Sequence, residues 1–144
     1  MTIFTHQNYN GKSAIFVKLC LKQLYKKDFD LYYNNGKPFV VNEEIFISIS
    51  HTGKDIVIAI SEKEVGIDIE QIKLRNYQKI ADKFLKKKVS SLDEFYCEWT
   101  KYEAKFKHGG ENGVFFTKDI FENVKMTIFS EDTYYNFISM DKLI

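Results

Sequence analysis

Three consecutive segments with a two-residue hydrophobic period, between residues 45 and 70, most strongly constrain how this chain can fold. The segments EIFISISH and DIVIAIS alternate isoleucine with other residues, and the turn HTGKD joins them. Because successive side chains of a strand point to opposite faces, this alternation predicts two strands paired in a hairpin. The third segment, VGIDIE, follows after three charged residues and predicts a further, buried strand. An antiparallel sheet is therefore expected at the centre of the fold.

The flanking segments have the helical period instead. KSAIFVKLCLKQLYKK places apolar residues at helical spacing and predicts a helix from Ser13 to about Lys26. NYQKIADKFL and SSLDEFYCEWTKYEAKFKHGG predict two more helices, the second ended by Gly109 and Gly110. KMTIFS and YYNFISM predict a second hairpin, and HGGENGVFF is expected to be a mobile connector.

Each half of the chain thus runs from a helix to a closing hairpin, which indicates a distant internal duplication. We expect an α+β fold of two pseudo-symmetric halves, residues 1–63 and 64–144, each with an antiparallel sheet packed on helices. The chain has 144 residues, of which 44% are hydrophobic, so it can bury a core without disulfides.

Composition excludes several partners and compartments. The 21 basic and 20 acidic residues give a formal net charge of +1, so no overall field indicates a nucleic acid or membrane partner. Arg75 is the sole arginine, so phosphate recognition would depend on lysine, histidine or backbone N–H groups. Cys20 and Cys97 form no CxxC pair and are expected to be reduced. The first residues lack a signal-peptide pattern, and a cytoplasmic location is expected.

An acidic pair lies on the strand predicted for VGIDIE. Residues two apart share a face, so Gly66, Asp68 and Glu70 point one way while the apolar residues point into the core. Neighbouring carboxylates raise each other's pKa unless a cation neutralises them, and Mg²⁺ suits such oxygen ligands. An exposed strand face with ordinary acidic residues is the alternative interpretation.

Two further features could join this pair in a site. Trp99, Glu103 and Lys107 recur every four residues and lie on one stripe of the predicted helix. A surface Glu–Lys pair is the alternative, although Trp99 favours a stripe that contacts protein or ligand. His51 ends a strand immediately before a Thr-Gly turn, where the imidazole and the turn N–H groups could meet an anion. A structural turn histidine is the alternative there.

Taken in order, GKP, SISHT, VGIDIE and WTKYEAKFK resemble the motif series of the 4′-phosphopantetheinyl transferases, in particular the surfactin-synthetase type. The resemblance runs from Gly36 to Lys107. It implies Mg²⁺-dependent transfer of 4′-phosphopantetheine from coenzyme A to a serine hydroxyl of an apo acyl, peptidyl or aryl carrier protein, with release of 3′,5′-ADP. It also implies the family fold, with the nucleotide on residues 1–63 and the metal-binding carboxylates and catalytic helix on residues 64–144.

The same resemblance implies roles for individual residues. Asp68, Glu70 and Glu103 would bind Mg²⁺, with Mn²⁺ as the alternative ion. Glu103 would act as the general base, Lys107 would neutralise or protonate the leaving diphosphate, and His51 would contact a coenzyme A phosphate. Besides His51 and Lys107, the residues implied to bind coenzyme A are Lys12, Gly36, Lys37, Pro38, Ser50 and Thr52.

The chain also departs from the family pattern. The stretch before GKP is shorter than is usual for the group, and Tyr102 stands where the family commonly has lysine, with Lys101 one place earlier. The alternative function is therefore a binding module with the same fold and little or no catalysis. A plain structural α+β protein would leave the ordered motifs unexplained. The shorter bacterial holo-acyl-carrier-protein synthases trimerise, whereas the hairpin expected in each half here favours a monomeric pseudo-dimer.

Overall fold

The computed structural model describes residues 1–142, which form nine strands and three helical segments. The helical segments are α1 (Ser13–Tyr25), α2 (Tyr77–Ile80), which continues as a π-helical turn (Ala81–Leu85), and α3 (Leu92–His108). The strands are β1 (Thr2–His6), β2 (Leu31–Asn34), β3 (Lys37–Val40), β4 (Phe46–Thr52), β5 (Asp55–Ser61), β6 (Val65–Gln71), β7 (Val114–Phe121), β8 (Val124–Ser130) and β9 (Asn136–Ser139). Within the described residues, no helix is long and apolar enough to cross a membrane.

The strands form two main sheets and one separate hairpin. The first sheet has the order β4-β5-β1-β9, antiparallel except where β1 runs parallel to β9. The second sheet is antiparallel with the order β6-β8-β7, and β2 pairs with β3 in the hairpin. The mixed α+β class with antiparallel sheets is therefore confirmed, and it is compatible with the 4′-phosphopantetheinyl transferase fold.

Alternation along the strands produces a layered molecule, in the order α1, first sheet, second sheet, α3. One core packs α1 against the first sheet and includes Phe16 and Ile58. A second core fills the space between the sheets and includes Val57 and Ile67. The opposite face of the second sheet is covered by α3, whose Thr100 hydroxyl lies 2.7 Å from the Thr127 hydroxyl of β8.

Side-chain hydroxyl groups join the two sheets where β4 meets β6. The Ser48, Ser50 and Thr52 hydroxyls accept hydrogen bonds of 3.0, 2.9 and 3.2 Å from three backbone N–H groups of β6, those of Ile67, Ile69 and Gln71. The spacing is 19 residues in each case, so β4 and β6 run side by side in the same direction. We call this set of three bonds the hydroxyl ladder. It satisfies N–H groups that an edge strand would otherwise leave without partners.

Several predicted elements are confirmed. Helix α1 begins at Ser13 as expected and ends one residue earlier than expected, at Tyr25. The hairpin of β4 and β5 turns at Gly53 and Lys54, as the HTGKD segment predicts. Helix α3 ends at Gly109, whose φ of 85° is the left-handed conformation that glycine adopts most easily.

The predicted second hairpin is wrong. β8 pairs with β7, whose first residues lie in the segment expected to be a mobile connector, and β9 leaves to pair with β1. Asn123 has a φ of 58° in the two-residue turn between β7 and β8, a conformation that asparagine tolerates. The turn of the hairpin that forms therefore lies at Asn123, before KMTIFS, and not between KMTIFS and YYNFISM. The pseudo-symmetry of the two halves stays a prediction, and one strand from beyond residue 64 lies in the first sheet.

Helix α3 lies unusually close to β6 because residue 66 is glycine. A Cβ atom on Gly66 would lie 1.8 Å from the Ala104 carbonyl oxygen and 2.7 Å from the His108 nitrogen, both of them backbone atoms. Neither atom can move without displacing the helix. The glycine therefore sets the distance between α3 and the acidic residues that follow it on β6.

We expect Gly66→Ala to lower the free energy of unfolding by about 3 kcal/mol, since the added methyl group must push the α3 backbone outward. The matched control is Gly110→Ala, where the nearest atoms to the new Cβ are those of the His108 ring, at 3.2 Å. A side chain can yield where a helix backbone cannot, so the control should lose less than about 1 kcal/mol. Urea unfolding of both variants measures the difference, and equal losses would contradict the close packing at Gly66.

Candidate active site

The two acidic residues of β6 lie beneath α3, on the face opposite the inter-sheet core. Asp68 is only 4% exposed, and Glu70 is partly exposed. Alternation places both on the same face as Gly66, where α3 approaches most closely. The interpretation of an exposed strand face is therefore wrong for Asp68, because the helix covers it.

Asp68 has two donors on one carboxylate oxygen. Its Oδ1 atom accepts a hydrogen bond of 3.2 Å from the Ser50 hydroxyl and lies 3.3 Å from the Lys107 ammonium group. That ammonium also donates to the Ile49 carbonyl oxygen at 3.1 Å. The other oxygen, Oδ2, is buried and has no hydrogen-bond partner among residues 1–142. One oxygen of this carboxylate is therefore held by two donors, and the other is buried without a partner among the described residues.

Burial dominates the electrostatics of the pair. It raises the pKa of Asp68 to about 7, with Glu70 and Glu103 adding to the rise and Lys107 opposing it. Burial also raises the pKa of Glu70, an effect that the Trp99 indole N–H opposes by stabilising the carboxylate and that Glu103 reinforces. Helix α3 thus brings Trp99, Glu103 and Lys107 to the acidic pair, on the stripe that their four-residue spacing predicts.

The arrangement can be tested for its fit to a divalent ion. Within residues 1–142, no three His, Cys, Asp or Glu side chains are grouped closely enough to hold a metal as they stand. The buried Oδ2 atom of Asp68 nevertheless has no hydrogen-bond partner in the described part of the chain, and burying such an atom is costly. Glu70 and Glu103 are partly exposed and act on Asp68 electrostatically. Three carboxylates are the ligand type that Mg²⁺ and Mn²⁺ prefer, so the donor chemistry fits such an ion.

Five of the eight residues implied to bind coenzyme A line two separate cavities, and Lys12, Ser50 and Thr52 line neither. The larger, about 480 Å³, is bordered by the β2–β3 hairpin residues Gly36, Lys37 and Pro38 and by Lys107 of α3. The smaller, about 200 Å³, is bordered by His51, Gly11 and Ser13. Gly11 and Ser13 are the sequence neighbours of Lys12. Lys12 is exposed and occupies the N-cap position of α1 without a capping bond from its side chain. The Lys37 ammonium group lies 3.4 Å from the Glu64 carboxylate. None of the three carboxylates is among the residues that line these two cavities.

Sequence reasoning missed the structural use of the serine and threonine residues on β4. Ser50 and Thr52 were expected to contact coenzyme A, and the structure gives both hydroxyls partners on β6. Ser48, which the motif comparison left without a role, makes the same kind of contact. Their period-two spacing in ISISHT was the available signal, since it places all three hydroxyls on one face of the strand.

We expect Asp68 to make the metal-free protein less stable as the pH rises from about 4 to about 7. The pKa of this carboxyl rises from an ordinary 3.8 to about 7 on folding. Between those values the folded state binds more protons than the unfolded state, so raising the pH favours unfolding. Asp68→Asn removes the titrating group. Urea unfolding in EDTA should therefore show the wild type losing stability relative to Asp68→Asn as the pH rises, and a difference independent of pH would contradict this.

Comparison with known proteins gives one informative similarity. The chain is 30% identical over 89 residues to a protein of Haemophilus influenzae (strain Rd) named "Putative 4'-phosphopantetheinyl transferase". The aligned part covers 53% of this chain and 38% of that protein, so the chain spans well under half the length of the relative. No protein family model matches the chain. The similarity supports the 4′-phosphopantetheinyl transferase superfamily and does not distinguish the surfactin-synthetase type within it.

Proposed function

We propose that this protein transfers 4′-phosphopantetheine from coenzyme A to a serine hydroxyl of an apo carrier protein and releases 3′,5′-ADP. The observation that carries the proposal is the buried Asp68 carboxylate, with one oxygen without a partner within residues 1–142, among Glu70, Glu103 and Lys107. Strand β6 and helix α3 supply these groups. The ordered motifs and the similarity to the Haemophilus protein point to the same activity.

In the proposed site, Asp68, Glu70 and Glu103 would hold Mg²⁺, or Mn²⁺ in its place. A divalent ion bound there would neutralise the carboxylates and the diphosphate of coenzyme A, which lowers the cost of bringing these negative charges together. Glu70 and Glu103 are partly exposed, and the charge of each raises the pKa of Asp68, which supports a shared site.

The proposed reaction forms one bond and breaks one bond at phosphorus. The carrier serine oxygen attacks the β-phosphorus of coenzyme A, and the bond from that phosphorus to the bridging oxygen breaks as 3′,5′-ADP leaves. Glu103 would accept the serine proton, directly or through a water molecule. Lys107 would stabilise or protonate the α-phosphate oxygen of the leaving 3′,5′-ADP. Both side chains lie on α3, one helical turn apart.

Coenzyme A would be bound by residues of both cavities. Gly36, Lys37 and Pro38 would line the adenine end in the larger cavity, which also reaches Lys107. His51 is exposed at the smaller cavity, near Lys12, so both are accessible to a phosphate group. Ser50 and Thr52, the sequence neighbours of His51, would lie on the same side of the coenzyme A site as His51.

The proposal extends to the transferase type, the location, the oligomeric state and the carrier protein. We take the protein to be of the surfactin-synthetase type, acting as a cytoplasmic monomer on an acyl, peptidyl or aryl carrier protein. The support is that one chain supplies both the SISHT segment of β4 and the carboxylates of β6 and α3, with β4 and β6 joined by the hydroxyl ladder.

A binding module with little or no catalysis is the second candidate function. Two observations favour it: the carboxylates within residues 1–142 are not grouped as a metal site, and Tyr102 stacks on Trp99 at a ring distance of 5.6 Å where the family pattern has lysine. Such a module would bind coenzyme A or a carrier protein and transfer nothing.

Labelling of an apo carrier protein with fluorescent coenzyme A and Mg²⁺ separates the two functions. We expect the wild type to label at least one acyl, peptidyl or aryl carrier, and Asp68→Ala and Glu103→Ala to lower the rate by about 100-fold or more, since each removes a proposed ligand. Glu98→Ala, on the same helix, is the control and should retain activity. Binding of coenzyme A without labelling across a broad carrier panel would establish the binding module instead.

We expect Lys107→Ala to reduce kcat more than it reduces coenzyme A affinity, because negative charge on the α-phosphate of the leaving 3′,5′-ADP grows in the transition state. The control is Lys105→Ala on the same helix, where the lysine pairs with Glu111 at 2.7 Å, whereas Lys107 is the lysine that pairs with Asp68. Steady-state rates together with the coenzyme A dissociation constant measure the effect. Equal losses in both quantities would reject the role of Lys107 at the leaving group.

A further inference from the structure

Ser50 makes two hydrogen bonds that have different consequences. Its hydroxyl oxygen accepts the Ile69 N–H at 2.9 Å, as part of the hydroxyl ladder. The same hydroxyl donates to the Asp68 Oδ1 atom at 3.2 Å. Ser50 is only 4% exposed, so its hydroxyl turns toward protein groups and away from solvent.

Ser48 provides a natural comparison two residues earlier on the same strand. It is also 4% exposed, and its hydroxyl accepts the Ile67 N–H at 3.0 Å. The residue beside Ile67 on the face toward α3 is Gly66, which has no side chain to receive a bond from Ser48. The two serines therefore support β6 in the same way, and Ser50 alone also contacts a carboxylate.

We propose that Ser50 is a positioning residue: it fixes the Asp68 carboxylate through Oδ1 so that Oδ2 is presented to a divalent cation. This inference rests on the proposed function, because it concerns the same cation. It gives Ser50 a role different from contact with coenzyme A, which the sequence motif implies.

The geometry of a hydroxyl group explains why Ser50 can do this. A serine hydroxyl has one proton to donate and lone pairs that accept. Because the Ile69 N–H occupies the acceptor side, the proton is directed toward Asp68. The rigid β6 backbone thus determines where the proton points, and the proton determines how the carboxylate is turned.

Lys107 cannot replace Ser50 in this role. Its ammonium group lies 3.3 Å from the same Oδ1 atom, but it is 31% exposed, sits at the end of a flexible side chain and also donates to the Ile49 carbonyl. An ammonium supplies charge more readily than direction. Groups that hydrogen-bond a metal ligand typically change metal affinity by about 10- to 100-fold when they are removed.

The test is a Mn²⁺ titration with saturating coenzyme A, in which the electron paramagnetic resonance signal of free Mn²⁺ reports binding. We expect Ser50→Ala to weaken Mn²⁺ affinity by about 10-fold, and Ser48→Ala to stay within about twofold of the wild type. Urea unfolding should show a loss of stability for both, because each removes one bond of the ladder, and a somewhat larger loss for Ser50→Ala, which also removes the bond to Asp68. Coenzyme A affinity in EDTA should be unchanged in both, and Ser50→Thr, which keeps the hydroxyl, should restore Mn²⁺ affinity.

Each alternative outcome has a distinct meaning. Equal Mn²⁺ affinity in Ser50→Ala and Ser48→Ala, with a binding wild type, would overturn the positioning role and leave the proposed function standing. Loss of coenzyme A affinity in EDTA for Ser50→Ala alone would overturn it in favour of a direct contact. Absence of Mn²⁺ binding by the wild type would overturn the proposed metal site and this inference with it. If Ser50→Ala does not fold, Ser50→Cys and Ser48→Cys provide the same comparison with side chains of similar shape.

Discussion

The hydroxyl ladder between β4 and β6 is the interaction on which the rest of the structure depends. A second sheet could join the first through a continuous backbone pairing, and here three side-chain hydroxyls do this instead. Each bond contributes a net 0.5–1.5 kcal/mol or so when made, but a buried N–H group left without a partner costs about 1–3 kcal/mol. The ladder therefore matters most as the arrangement that makes burial of the β6 edge possible. It also fixes the register of β6, and with it the position of Asp68.

Burial of Asp68 has a cost that its neighbours only partly offset. The pKa of about 7 shows that desolvation, with repulsion from Glu70 and Glu103, exceeds the stabilisation that Lys107 gives the charged form. A side chain chosen for stability alone would be apolar here, since well-packed hydrophobic residues often replace buried charges without loss. The fold instead keeps a carboxylate beneath α3 with one oxygen unsatisfied by any described residue. Such strongly perturbed groups cluster at functional sites, which is why this residue carries the proposed function.

Local signals predicted the elements whose form depends on neighbours in sequence. The β4–β5 hairpin, the start of α1 and the end of α3 at Gly109 follow from period, turn and capping residues. Pairing between distant strands was harder to predict from the sequence. β9 pairs with β1 across more than 130 residues, and nothing in the sequence of β9 indicates β1 as its partner. The site shows the same division. Spacing placed Trp99, Glu103 and Lys107 on one stripe, whereas the burial of Asp68 and the bond from Ser50 required the tertiary structure.

Lys107 has two functions in the proposed mechanism, and they compete for one ammonium group. In the structure it offsets the charge of Asp68 and is held by the Ile49 carbonyl, so it serves as the resident cation of the site. A divalent ion bound by the carboxylates would take over that electrostatic task, because it supplies two charges at shorter range. The ammonium would then be available to the α-phosphate of the leaving 3′,5′-ADP on the side of the larger cavity, which Lys107 already borders. One lysine can therefore stabilise the fold before the ion arrives and assist the reaction afterwards, provided that Asp68 keeps its orientation when the lysine leaves. The Ser50 hydroxyl, fixed by β6, supplies that orientation independently of the lysine.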